Sequence, residues 1–113
     1  MAERIRSGGA GIPAFYTATG VGTVLEEGGF PIKYKKGTSE VEISSHPRPT
    51  GVFKGKKYLL ESAIYGDFAL VKAKKADKSG NLVFNKTSRN FNADMCTSAK
   101  CVIAEVEEIV ETG

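Results

Sequence analysis

The sequence predicts an α/β fold carrying one β-rich excursion, on three observations. The apolar run FALV at 68–71 is continuous, the mark of a strand covered on both faces as in parallel sheets. A second buried strand is expected over 102–106, with an acidic exit. Between residues 30 and 57, apolar and polar residues alternate and are interrupted by KG, HP and RP, the pattern of small antiparallel strands.

The elements follow in order. AERIR, with Ile5 as its large apolar residue, reads as the last turns of a helix stopped by SGGAG. A domain rarely begins in the last turns of a helix, so the chain is expected to be cut from something longer. IPAFYT reads as a short strand through its β-favouring Phe15, Tyr16 and Thr17, with Pro13 near its start. A short helix is expected over 23–27, with Gly20 and Gly22 before it and Gly28 after it. Strands are expected at 32–34, 41–44, 52–53 and 58–60, their lysines keeping edges soluble. DKSGNLVF is a turn into another short strand. Asn92 is the expected N-cap of a helix running to Lys100.

Composition narrows the function. The chain has 113 residues, one domain or a piece of one, and is 41% hydrophobic, so its core is expected to be modest. The net charge of +3, from 16 basic and 13 acidic residues, is too mild to imply nucleic acid. Aromatic residues are not organised around a basic face, which also argues against nucleic-acid stacking. No apolar run reaches the length of a membrane span, and no signal peptide or basic presequence opens the chain, so an intracellular, non-membrane protein is expected. Cys96 and Cys101 are not spaced C-x-x-C and His46 is distant, which disfavours a zinc or redox site; both thiols are expected to be reduced and buried.

No nucleophile-and-base set can be assembled. His46 lies in the turn-like SHPRP, no G-x-S-x-G elbow is present, and GVGTVLEEG is no dinucleotide fingerprint. The lysines of KAKKADKSG read as a solvated strand end. The glutamates between Glu105 and Glu111 alternate with core residues and read as structural. The stretch AGIPAFYTATGVGT, residues 10–23, is the best functional candidate. Its glycines allow close backbone approach, Thr17, Thr19 and Thr23 can donate hydrogen bonds to a carboxylate, and Phe15 and Tyr16 can wall an apolar pocket. A tight strand-to-helix turn explains the same residues equally well, and both readings stand open.

Three stretches carry a resemblance: residues 1–29, DFALVKAKKAD with GNLVFNKTSRNFN, and IAEVEEIV at 103–110. In this order they resemble the first half of the 3-oxoacid CoA transferases, family-one CoA transferases acting on succinyl-CoA and 3-ketoacids. The likeness covers essentially the whole chain. It implies a partial A-half sheet with flanking helices, an incomplete A-half domain over 1–113, and a β-rich insertion over about 30–58. The insertion looks like that of the mitochondrial forms, the bacterial counterparts usually being shorter there. That points to the mitochondrial matrix, or to the cytoplasm if the source is bacterial.

The resemblance implies transfer of CoA between succinyl-CoA and a 3-oxoacid such as acetoacetate, through an anhydride and a glutamyl-CoA thioester. It implies no cofactor, coenzyme A being a substrate. The implied partners are a CoA thioester, small carboxylic acids, the rest of the A half, the B half, and further copies in a homo-oligomer. Phe15, Tyr16 and Thr17 would be pocket wall, and Val21 stands where many relatives carry an aromatic. TSRNFN is expected to be a turn and helix cap, with Arg89 bracing the sheet. The family's GGFG-type loop and the SENG-type motif of the nucleophilic glutamate are missing. None of Glu26, Glu27, Glu105, Glu107, Glu108 or Glu111 inherits that role, so the chain alone is expected to be inactive. The alternative is a non-catalytic binding or assembly module derived from the transferase fold.

Overall fold

The computed structural model describes residues 1–113. In chain order the elements are α1 (Ala2–Gly9), β1 (Ala14–Thr17), α2 (Val24–Glu27), β2 (Pro31–Tyr34), β3 (Val41–Ser44), β4 (Thr50–Phe53), β5 (Lys56–Ser62), β6 (Gly66–Asp77), β7 (Leu82–Val83), α3 (Asn92–Met95) and β8 (Ala99–Val110). They form two compact units, one of Met1–Pro13 with Ala63–Gly113 and one of Ala14–Ser62. The α/β reading holds.

The first unit is a three-stranded sheet of order β7-β6-β8, with β6 and β8 parallel and β7 antiparallel to β6. Ala69, Val71 and Ala73 are buried, whereas Phe68 and Leu70 are each 69% exposed. The expectation that 68–71 is covered on both faces is therefore corrected. Successive strand residues point to opposite faces, and within this chain α3 packs against β6 on one side only. Strand β8 runs well beyond the expected 102–106. Its glutamates are strand residues held by lysines across the ladder, Lys72–Glu105 and Lys75–Glu108 at 2.9 Å each.

Helix α1 does not stop before its glycines, because they are its packing surface. A Cβ on Gly8 would lie 1.9 Å from the Ile64 carbonyl oxygen, and one on Gly9 2.1 Å from Thr97 Oγ1. The Ile64 N–H donates to the Arg4 carbonyl at 2.9 Å, fixing the helix there. The helix expected over 92–100 is only Asn92–Met95, and Asn92 is not its cap. The Asn92 amide donates to the Ser88 carbonyl at 3.0 Å and accepts from the Lys72 backbone N–H at 3.4 Å. Gly66 N–H donates to the Ser98 carbonyl at 2.8 Å, drawing the following residues into the sheet. Asn92, rather than the exposed Arg89, thus ties the TSRNFN segment to β6. Both cysteines are free, but Cys101 is exposed and Cys96 only partly covered, which corrects their expected burial. Cys101 sits on the solvent-facing side of β8 with Ile103.

The second unit holds an antiparallel sheet of order β1-β5-β4 and the separate hairpin β2–β3. The hairpin carries ion pairs Lys33–Glu42 and Lys35–Glu40, both 2.7 Å, on one face. Ile32, Tyr34, Val41 and Ile43 are exposed on the other. The strand-rich region spans 14–62, enclosing the expected 30–58, because β1 pairs with β5. Its centre is Leu59, with 0% of its surface exposed. Burying such a side chain contributes about 1.5–3 kcal/mol.

Candidate functional site

The turn between β1 and α2 is built by its own polar groups. Thr17 Oγ1 accepts from the Thr19 N–H at 3.2 Å. Gly20 and Gly22 take φ of +90° and +74°, where a side chain would strain the backbone. Thr23 caps α2, its Oγ1 accepting from the Leu25 N–H at 3.3 Å and donating to the Gly20 carbonyl at 2.7 Å. Glu26 then reaches back. One carboxylate oxygen accepts from the Gly22 N–H at 2.7 Å, and the other pairs with the Lys57 ammonium of β5. The Glu26 side chain is 14% exposed. The Lys57 bond first, and the Gly22 N–H second, hold its carboxyl below the usual carboxylate range.

This turn lies over the buried centre of the unit. A Cβ on Gly20 would be 3.1 Å from Leu59 Cδ1 and 3.3 Å from Leu25 Cδ1. Leu59 is the β5 partner of Thr17. Phe15 is opposite Glu61 in the same ladder, and Glu61 pairs with Arg48 at 3.7 Å. Phe15, Glu61 and Arg48 therefore form one row across the sheet, on the side of Thr17 and Leu59.

Tyr16 points the other way. Its ring meets Phe53 edge-on, centroids 4.9 Å apart, and Phe53 meets Tyr58 at 5.7 Å. Gly51 leaves the room: a Cβ there would come within 2.9 Å of Tyr16 Cε1. The structure thus brings Phe15 and Thr17 together with Leu59, Glu61 and Arg48, and places Tyr16, 45% exposed, on the opposite face. A strand's alternation keeps three consecutive residues from lining one surface. Arg48, Glu61, Glu26 and Lys57 escape the sequence reading. Glu26 is four residues from its glycine partner, but nothing local ties it to Lys57, 31 residues away.

The other candidates stay apart. His46 is exposed in the loop before β4. No group of three or more His, Cys, Asp or Glu side chains converges as a metal site. No helix is long and apolar enough to cross a membrane. Of the glutamates, Glu3, Glu26, Glu40, Glu42, Glu61, Glu105 and Glu108 all sit in ion pairs.

Known proteins share this sequence and fold. The chain is 55% identical over all 113 residues to succinyl-CoA:3-ketoacid coenzyme A transferase 2, mitochondrial, of Homo sapiens, and covers 22% of that protein. It is 50% identical, again over all 113 residues, to one of the two polypeptides of a split bacterial enzyme, the A chain of the succinyl-CoA:3-ketoacid coenzyme A transferase of Xanthomonas campestris pv. campestris, and covers 39% of it. The bacterial match includes the 30–58 segment, so that segment is not a mark of the mitochondrial forms. The acyl-CoA transferase YdiF of E. coli O157:H7, solved as a thioester complex with CoA, superposes with a TM-score of 0.76 at 19% identity, over 99% of this chain and 23% of that one. The chain spans well under half the length of these relatives. A family profile described as Coenzyme A transferase matches residues 1–113, and with a sheet of the same fold beneath it the chain belongs to the coenzyme A transferase family.

Proposed function

We propose that this chain is part of the A half of a transferase that moves CoA between succinyl-CoA and a 3-oxoacid such as acetoacetate. Identity of 50–55% over every residue to transferases named for that reaction carries the reading. The transfer runs in balanced steps. A glutamate carboxylate attacks the acyl-CoA carbonyl and expels the CoA thiolate, leaving an acyl–glutamyl anhydride. The thiolate attacks the glutamyl carbonyl, releasing the first acid as its carboxylate and leaving a glutamyl-CoA thioester. The second acid reverses the sequence and leaves as its CoA thioester. The nucleophilic glutamate lies outside these 113 residues. The seven paired glutamates here have cationic neighbours that blunt a carboxylate nucleophile, and none sits in the family's nucleophile motif.

The part assigned to this chain is the wall of the acyl-substrate pocket, formed at Phe15, Tyr16 and Thr17 beside the glycine turn. CoA is a substrate and no other cofactor is required. The rest of the A half, the B half and further copies of the enzyme complete the assembly, in the mitochondrial matrix or in a bacterial cytoplasm according to source. The test is to incubate the complete enzyme with succinyl-CoA, quench it, and locate the CoA adduct by peptide mass spectrometry. The adduct is expected on a glutamate outside 1–113. An adduct on any glutamate of this chain, or acetoacetyl-CoA formation by the 113-residue chain alone, overturns this assignment.

A further inference from the structure

We propose that Glu26, held by Lys57, is a positioning residue that locks the turn at Gly20, Val21 and Gly22 into one conformation beside the pocket wall at Thr17. The pocket clause rests on the transferase reading above; the lock itself rests on geometry alone. Two glycines at positive φ leave a segment with wide backbone freedom, and a four-residue helix is too short to restrain it by itself. The restraint comes from one largely covered carboxylate. It accepts from the Gly22 N–H at 2.7 Å, at the end of the turn, and joins that N–H to the ammonium of Lys57 on β5. Thr23 closes the turn from the other side by donating to the Gly20 carbonyl at 2.7 Å. Charge-assisted hydrogen bonds of this kind are about twice as strong as neutral ones.

The consequence is a fixed distance between the turn and the sheet. Gly20 rests against Leu59, and Leu59 is the ladder partner of Thr17. Releasing Glu26 frees Val21 and the Gly22 N–H to move relative to Thr17 without disturbing the ladder between β1 and β5. The expected signature is weaker capture of the acid that enters the pocket, with the chemical steps themselves intact.

The experiment uses the complete transferase containing these residues, as wild type, E26A, E26Q and K57M. Hydrogen exchange is followed by mass spectrometry over residues 18–24, and KM and kcat are measured with acetoacetate as acceptor. E26A is expected to speed exchange in this segment and to raise KM about tenfold, with kcat within about twofold. E26Q keeps an oxygen for the Gly22 N–H and is expected to recover most of the protection and most of the KM. K57M is expected to fall between E26Q and E26A. Unchanged exchange in E26A overturns the lock. Faster exchange with unchanged KM overturns its role at the pocket. A folded wild-type enzyme inert toward every CoA thioester instead counts against the transferase reading, and the exchange measurement then decides the lock alone.

Discussion

At the scale of single residues, Glu26 and Leu59 carry the most consequence. The Glu26 carboxyl sits below the usual carboxylate range because Lys57 and the Gly22 N–H favour its charged form. Its stabilising contribution is therefore complete above the ordinary glutamate value of about 4.3 and is lost as pH falls through the depressed folded value. Asp77, lowered chiefly by the Asn81 amide, and Glu3, lowered by Arg6, act in the same direction. Urea midpoints measured from pH 6 downward are expected to fall in acid, and E26Q should show a shallower fall; identical slopes would remove Glu26 from the linkage. Leu59→Ala should cost about 2–5 kcal/mol, read from the same denaturation curves, since its side chain is fully enclosed. Thr17 and Thr23 were legible as hydrogen-bonding residues of a turn. Their acidic neighbour was not, because its meaning depends on a lysine far along the chain.

At the scale of elements, the short strands were legible because alternation and turn residues are local signals. The ends of the longer elements were not. Helix α1 continues through SGG because a tertiary contact with Ile64 and Thr97 needs the missing side chains, overriding the usual reading of paired glycines as a stop. Gly8→Ala should accordingly destabilise the fold by roughly 3 kcal/mol, at the upper end of the overpacking range. A thermal melt within one degree of wild type would contradict that close approach. The break between α3 and β8 also separates the two cysteines. Cys101 is exposed on a strand, and burial pushes the Cys96 thiol up from its ordinary value. Iodoacetamide at pH 8 is expected to modify Cys101 well before Cys96, as followed by intact mass and peptide mapping. The reverse order would place Cys96 in a more open setting than the one described.

At the scale of the whole molecule, the α/β class and the family were legible together, the first from apolar runs and the second from long matching stretches. The pocket wall was legible only in part: alternation along β1 divides Phe15 and Thr17 from Tyr16. The extent of exposed apolar surface was not legible either, since it depends on what covers each strand. Phe68, Leu70, Ile103 and Ile109 face solvent in one unit, and Ile32, Tyr34 and Ile43 in the other. Strand β8 also ends its sheet with an unpaired edge. Such surfaces bind other chains. The 113-residue chain in isolation is expected to self-associate and to bind an apolar dye, and both should diminish when the rest of the transferase is supplied. Sedimentation as a clean monomer without dye binding would contradict this.

The ion pairs of β6 and β8 have one more implication. Lys72 meets Glu105, Lys75 meets Glu108, and Asp67 meets Lys100 at 3.1 Å, across strands whose other partners are mostly small or β-branched. Alanines and valines interlock weakly enough that a parallel pair could settle two residues out of step and still bury similar surface. Each exposed charge pair is worth only about 0–1 kcal/mol, yet a slip in either direction breaks most of them at once. The two strands are therefore a single unit of inheritance. A lineage that reverses the charge at Lys75 is expected to reverse Glu108 as well, and a chimaera that takes β6 from one parent and β8 from another should misalign unless their charges still agree.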